Sequence, residues 1–278
     1  MDLVILVVVY NLSPEESATL QSLSVCCDFL KMHKHNIIIR DNSGKGYSQS
    51  QHNTLSQMLN GASFTYWHDG INLSLSEIYN SVITQQLNAE QILVIWDHDS
   101  QFTTDYFIKL AQAQTENKDC SLFLPIITNH DEIVSPSNLW GFKGSYWKHP
   151  QYGRLQAQNH TAINSGMAIR GEYLLHRFPG YDTHLKFYNT DNYFMWCYAQ
   201  TEKMLVVLQT NINHQLNFYS PSESFSQQAA RYSEMRSSAI YLAGLKSFWL
   251  KLLTYVYYDI FSIKLAYKRR DIRYVLLR

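Results

Sequence analysis

Three uninterrupted apolar runs constrain this chain more than any other feature: residues 3–9, Ile37-Ile38-Ile39 within 36–40, and residues 92–96, Ile92-Leu93-Val94-Ile95-Trp96. They are rich in β-branched side chains and do not alternate with polar ones, so each predicts a strand buried on both faces. Helical stretches separate them. Ser13-Pro14-Glu15-Glu16 opens the first, with Ser13 as cap, Pro14 at the first helical position and Glu16 completing a capping box; the helix is predicted to run to about Phe29. Residues 75–86 and 104–114 predict two more helices, and 121–125 a further strand. Strand and helix in this order give an α/β fold with a parallel sheet covered on both faces.

Ligands of such sheets sit at the carboxyl ends of the strands. Asn11, Asp41 and Asp97-His98-Asp99 all fall there. Side chains alternate along an extended segment, so Asp97 and Asp99 point the same way. Two carboxylates converging at the end of a buried strand are costly unless a cation sits between them. Hard oxygen ligands suit Mn²⁺ or Mg²⁺, ions that commonly hold substrate phosphates. Residues 129–159 are polar and aromatic (Trp140, Phe142, Tyr146, Trp147, Tyr152) with little periodicity, and predict a long irregular connection over that rim. Residues 163–170 predict a strand, Asp191 opens a helix, and 205–208 predict a last strand. Apart from the serine-rich residues 220–226 there is no low-complexity segment, and no internal repeat.

The chain has 278 residues, 46% of them hydrophobic, enough for a sizeable core. Its formal net charge of zero gives no overall pull toward nucleic acid. From Leu245 onward, however, eight basic residues face only Asp259 and Asp271, so that tail is strongly basic and the body before it acidic. Cys26, Cys27, Cys120 and Cys197 form no C-x-x-C pair, which fits a reducing cytosol and argues against zinc. The apolar start follows an acid at position 2 and lacks a basic region before it, so it is expected to be a core strand rather than a signal peptide.

The order of motifs resembles the family 2 glycosyltransferases of GT-A fold, in particular rhamnosyltransferase-like members. The likeness runs through Val8-Val9-Tyr10-Asn11, Thr19-Leu20-Gln21-Ser22-Leu23, Ile38-Ile39-Arg40-Asp41-Asn42-Ser43 and Leu75-Ser76-Glu77-Ile78-Tyr79-Asn80. It continues in Asp97-His98-Asp99-Ser100, Ile163-Asn164-Ser165-Gly166, Phe178-Pro179-Gly180-Tyr181-Asp182 and Thr190-Asp191-Asn192-Tyr193-Phe194. It spans roughly residues 3–215, leaving 216–278 as an uncovered extension. Three departures stand out: Gly44-Lys45-Gly46 where a second acid is common, Tyr193 where an acid often follows the base, and Gly70-Ile71-Asn72-Leu73 in an altered loop.

The resemblance implies a GT-A mixed sheet, nucleotide-sugar binding, and inverting transfer of a hexose or deoxyhexose from a UDP- or dTDP-sugar to a hydroxyl of a surface polysaccharide or lipid-linked glycan. Asp41 would meet the nucleotide base, with Tyr10 and Asn11 lining the same pocket. Ser76, Asn80, Asn164, Ser165 and Gly166 join them as expected nucleotide-sugar contacts. Asp97 and Asp99 would hold ribose and metal, with His214 as a third metal ligand or phosphate contact. Asp191 is the expected base; the positive end of its helix would keep its pKa low, so that it takes the proton late. A sugar nucleotidyltransferase, or a nucleotide-sugar-binding protein without catalysis, stays open as an alternative, although Tyr10-Asn11-Leu12-Ser13 has none of the glycines and basic residues a nucleotidyltransferase loop carries.

Residues 248–267 are apolar and aromatic but hold Lys251, Asp259 and Lys264, and a charge near a bilayer centre costs about 2.5–3.5 kcal/mol. A spanning helix is therefore not expected. Two readings stay open: an interfacial helix on the anionic cytoplasmic face of a membrane, or a helical pair packed on the catalytic body.

Overall fold

β1 (Asp2–Val9) lies at the centre of the sheet, paired in parallel with β2 (Lys34–Asp41) on one side and β4 (Ile92–Asp97) on the other. The computed structural model describes residues 1–141, 143–214 and 224–276. β3 (Phe64–Trp67) extends the parallel part beyond β2. On the other side the direction changes: β12 (Ala168–Arg170) runs antiparallel to both β4 and β6 (Leu122–Asn129). β13 (Met204–His214) returns parallel to β6, and β10 (Gly153–Gln156) closes that edge antiparallel. β5 (Ser100–Gln101) pairs with the end of β13, and β7 (Glu132–Ser135) with β6. The sheet is thus mixed, not purely parallel.

β1 shows why this arrangement is stable. Its alternate residues Ile5, Val7 and Val9 face α1 (Ala18–Lys31) through Leu20 and Leu23, and α4 (Thr104–Glu116) through Phe107 and Leu110. Val4, Leu6 and Val8 face the opposite cluster, where α3 (Leu75–Gln86) contributes Ile78 and Val82 and α6 (Thr190–Thr201) contributes Phe194 and Tyr198. Both faces are buried, and each buried aliphatic side chain contributes about 1.5–3 kcal/mol.

Several expected boundaries move. The first helix begins at Ala18, capped by Ser17, while Pro14–Glu16 forms a separate 3₁₀ turn in which the Glu16 carboxylate accepts from the Ser13 amide. The strand expected over 163–170 shrinks to β12, because Gly166 adopts a left-handed φ of 79° that breaks extension. β13 runs on to His214 instead of ending at Leu208. α2 (Gln49–Met58) and β3 were not expected; α2 buries only Leu55, so its sequence carries almost no apolar period. The connection over 129–159 is not irregular: besides β7 and β10 it holds β8 (Ser137–Trp140) and β9 (Lys143–Tyr146), which with β11 (His160–Thr161) form a small second sheet. Short α5 (Gly171–His176) follows β12.

α7 (Phe225–Lys246) and α8 (Phe248–Arg269) form an antiparallel hairpin. The Tyr232 hydroxyl donates to the Tyr258 carbonyl at 2.7 Å, and Arg236 pairs with Asp259 at 2.9 Å. α7 also seats on the body: the Tyr241 hydroxyl donates to Asp182 at 2.8 Å, and the Asn189 amide to the Ser238 hydroxyl at 2.8 Å. No helix among the described residues is long and apolar enough to cross a membrane. Phe142, the junction at 215/216, residues 220–223 and Arg278 lie outside the described residues.

Candidate active site

β4 ends at Asp97, level with Val8 of β1, and the chain turns through His98 and Asp99 into β5. The start of α1 fixes that turn. Ser17 Oγ donates to the His98 carbonyl at 2.9 Å and the Thr19 amide to the same oxygen at 3.2 Å. The Thr19 hydroxyl donates to the Asp97 carbonyl and accepts from the Ser100 amide at 3.1 Å. From the far side of the sheet, antiparallel pairing of β5 with β13 sets His214 opposite Ser100, one residue from Asp99. Residues more than a hundred positions apart are therefore brought together by strand register.

Ligand atoms of Asp97, Asp99 and His214 all lie within 4.8 Å of one another. His214 is buried; its Nδ1 is 2.9 Å from Ser100 Oγ and 3.3 Å from Asp99 Oδ1. Burial, and then the Asp99 charge, push Asp97 up to about 7, and burial holds His214 below the usual histidine value. Asp99 Oδ1 is buried and makes no hydrogen bond among the described residues. Two hard carboxylates, an imidazole and one unsatisfied anionic oxygen fit a divalent cation, which would relieve the repulsion between the acids.

These three residues floor a cleft of ≈ 640 Å³ whose walls include Tyr10, Asn72, Leu75, Phe187 and Tyr188. Arg231 and Glu234 of α7 complete it, so the C-terminal extension is part of the site. A neighbouring recess shares Asp97, His214, Phe187 and Tyr188 and adds Asn164, Thr190 and Asp191. That volume is in the range of sites for small molecules and cofactors.

Asp191 stands in the first turn of α6, which is held on three sides. Asn164 Nδ2 donates to Thr190 Oγ1 at 2.9 Å, Thr161 Oγ1 to Asn192 Oδ1 at 2.6 Å, and Asn189, in left-handed conformation at φ 63°, bonds α7. The Asn192 amide donates to Asp191 Oδ1 at 2.7 Å. The low pKa expected from the helix start is not found. Burial outweighs the helix-end amides and pushes Asp191 up to about 6.

The remaining expected contacts divide into those that line the cleft and those that build it. Tyr10 is 46% exposed and lines it; Asn11, at φ 51°, donates its amide to Ser43 Oγ at 2.7 Å and fixes the strand end. Asp41 does not reach the cleft. It is 1% exposed, and its carboxylate accepts from the Ser43 amide at 3.0 Å and from the Tyr66 hydroxyl. Ser76 and Asn80 also point elsewhere: Ser76 Oγ donates to the Leu185 carbonyl at 2.8 Å, and Asn80 clamps the Tyr181 backbone with both amide atoms at 2.8 Å. They anchor the segment that leads to Phe187 and Tyr188. Ser165 Oγ accepts from the Asp97 amide at 3.2 Å and sits 2.6 Å from Ser100 Oγ. Gly166 must be glycine; a Cβ there would lie 2.7 Å from Pro125 and 3.3 Å from Trp96.

Neither a family model nor a curated protein matches this chain by sequence. Solved structures match it in fold. S. aureus TarS, residues 1–349, superposes with TM-score 0.57 at 12% identity, covering 86% of this chain and 70% of that one. Mannosyltransferase PcManGT from Pyrobaculum calidifontis, in complex with GDP-Man and Mn²⁺, gives 0.58 at 12% identity over 92% and 69%. GalNAc-T7 with UDP, GalNAc and Mn²⁺ gives 0.57 at 11% identity over 84% of this chain but 48% of its own. The fold is GT-A.

The polar ends of β1, β2 and β4 and the last residue of β13 form one rim of this GT-A sheet. Ser17, Thr19, Ser100, Phe187, Tyr188, Arg231 and Glu234 were not expected at the site. Thr19 and Ser100 lie inside motifs that carried the family resemblance, whereas nothing in the sequence marks the α7 pair.

Proposed function

We propose that this chain is a metal-dependent, inverting glycosyltransferase that moves a hexose or deoxyhexose from a nucleoside-diphosphate sugar, UDP- or dTDP-linked, to a hydroxyl of a glycan or lipid-linked acceptor. One observation carries the reading: Asp97, Asp99 and His214 form a single ligand cluster, and Asp191 shares the recess with Asp97 and His214. The presence of Mn²⁺ with UDP or GDP-Man in two structures of like fold supports it.

Asp97, Asp99 and His214 would hold Mn²⁺ or Mg²⁺, whose charge offsets that of the departing nucleoside diphosphate. The exposed Tyr10 ring offers a stacking surface for the base, while Asp41 keeps the strand end in place through Ser43 and Tyr66. Asp191 accepts the acceptor's hydroxyl proton as that oxygen bonds the anomeric carbon. The bond between that carbon and the diphosphate oxygen breaks on the opposite face, and the diphosphate leaves with the electron pair. A group held near 6 is largely ionised at neutral pH yet basic enough to take that proton.

The test has two arms. Nucleoside diphosphates are expected to raise the melting temperature in the presence of Mn²⁺ and much less without it. Asp191→Asn is expected to lower transfer by about 10³-fold or more while nucleotide affinity stays within about twofold. Normal turnover by that variant removes the proposed base. Metal-dependent binding without transfer to any hydroxyl acceptor favours the non-catalytic alternative, and pyrophosphate release from a nucleoside triphosphate with a sugar phosphate favours the nucleotidyltransferase.

A further inference from the structure

We infer that the outward face of α8 is a docking surface for an anionic lipid bilayer, on which the protein lies without crossing it. The inner face of α8, with Thr254, Ser262, Leu265 and Ala266, is buried, chiefly against α7 and the 3₁₀ segment Ile272–Leu276. The opposite face is apolar as well. Trp249, Leu253, Val256, Ile260, Ile263 and Tyr267 are 49–88% exposed and recur at spacings of four and three, which aligns them along the helix. Phe248 and Leu252, 71% and 48% exposed, widen the stripe in its first turn, on the flank where Asp259 stands further along, paired with Arg236. From Trp249 to Tyr267 it extends about 27 Å, with an aromatic residue at each end. Water does not favour so continuous an apolar surface, and nothing else among the described residues covers it.

Charge selects the occupant. Lys264 and Lys268 flank the stripe, and Arg270 follows it, all exposed. The two acids of this region are already taken, Asp259 by Arg236 at 2.9 Å and Asp271 by Arg273 at 2.7 Å. A wide apolar face between aromatic ends, with basic residues beside it, is the composition of a helix that lies in the headgroup layer of anionic lipid. A coiled-coil seam with a second copy would need only the narrow row of six, and would leave Phe248 and Leu252 in water. Because α8 rests on α7, and α7 carries Arg231 and Glu234 into the cleft, docking sets the cleft one helix layer above the lipid, within reach of a lipid-linked acceptor. The surface itself does not depend on the transferase reading, and the experiment measures no sugar transfer.

The full chain is to be sedimented with vesicles of mixed phosphatidylglycerol and phosphatidylcholine, and with phosphatidylcholine alone. Binding is expected to the first, to weaken with added salt, and to be slight to the second. Val256→Asp with Ile260→Asp is expected to lower partitioning by at least about tenfold, and Lys264→Glu with Lys268→Glu by a similar factor. Circular dichroism and an unchanged melting temperature establish that each variant folds. Wild-type protein left in the supernatant with anionic vesicles overturns the inference, as does equal binding by the aspartate pair. A dimer in sedimentation velocity that the aspartate pair dissociates, without vesicle binding, assigns the face to a second copy and likewise overturns it.

Discussion

The cleft floor and the outward face of α8 are opposite departures from the usual partition of side chains. At the floor, half-buried Asp97 and Asp99 stand beside buried His214, and desolvation has pushed Asp97 up to about 7. On α8, large apolar side chains from Trp249 to Tyr267 stand in water. Both weaken the isolated chain, and proteins keep such features where a ligand or surface relieves them. They differ in how firmly the chain holds them. The floor is fixed by two strand registers and by bonds from Ser17, Thr19 and Ser165, so few alternative geometries exist. The α8 stripe is fixed by helical period alone, and a single hairpin carries it. A cation should therefore act on the first and leave the second untouched, and lipid should do the reverse.

The largest effect that tests this separation is expected from Asp99→Asn. It removes a charged oxygen that has no hydrogen-bond partner among the described residues, and should weaken Mn²⁺ binding by about 10–100-fold in electron paramagnetic resonance titration. The aspartate pair on α8 should leave that affinity unchanged, since distant sites act independently. A loss of metal binding in the α8 variant would break the comparison. Next comes pH. With its carboxyl raised to about 6, Asp191 loses its basic form as pH falls, so the transfer rate should drop by about tenfold per unit below that value and level off above about 7. A flat profile between pH 5 and 8 would remove Asp191 from the rate-limiting proton transfer. Smaller again is Thr19→Val, which keeps the shape of a buried residue but removes the hydroxyl that ties Asp97 to Ser100. Mn²⁺ affinity should fall by roughly tenfold with little change in nucleotide stacking on Tyr10.

How much of this was legible in the sequence follows from what each feature depends on. The three apolar runs and the spacing of Asp97 and Asp99 are local, and they located the strands and the rim. Asp191 at a helix start is local too, but its pKa is not: the dipole argument predicts a low value, and only the recess shows that desolvation prevails. Ser76 and Asn80 sit within a motif of the resemblance, yet which way a helix turns its polar side chains depends on the segment packed over it. Here that segment is 181–185, a hundred residues away, and it claims both. α2 and β3 escaped because polar helices and short edge strands leave little apolar period. Arg231 and Glu234 reach the cleft from an extension that the resemblance does not cover.

The smallest effect separates the cost of the half-buried, desolvated acid from its use. Burial raises Asp191 from the ordinary 3.8 to about 6 in the folded chain, so its ionised form is disfavoured there relative to the unfolded chain. The sign follows from proton binding. Between those two values the folded protein holds a proton that the unfolded chain has released, so stability from this group is complete below about 4 and is lost as pH rises through about 6. Asp191→Asn keeps the shape and cannot ionise. It should melt about 2–5 °C higher than wild type at pH 8 and show little difference at pH 4, while transfer is abolished at both. A lower melting temperature for the variant at pH 8 would mean that the carboxylate stabilises α6 as a cap, through the Asn192 amide, and that its burial is not a strain the fold bears for chemistry.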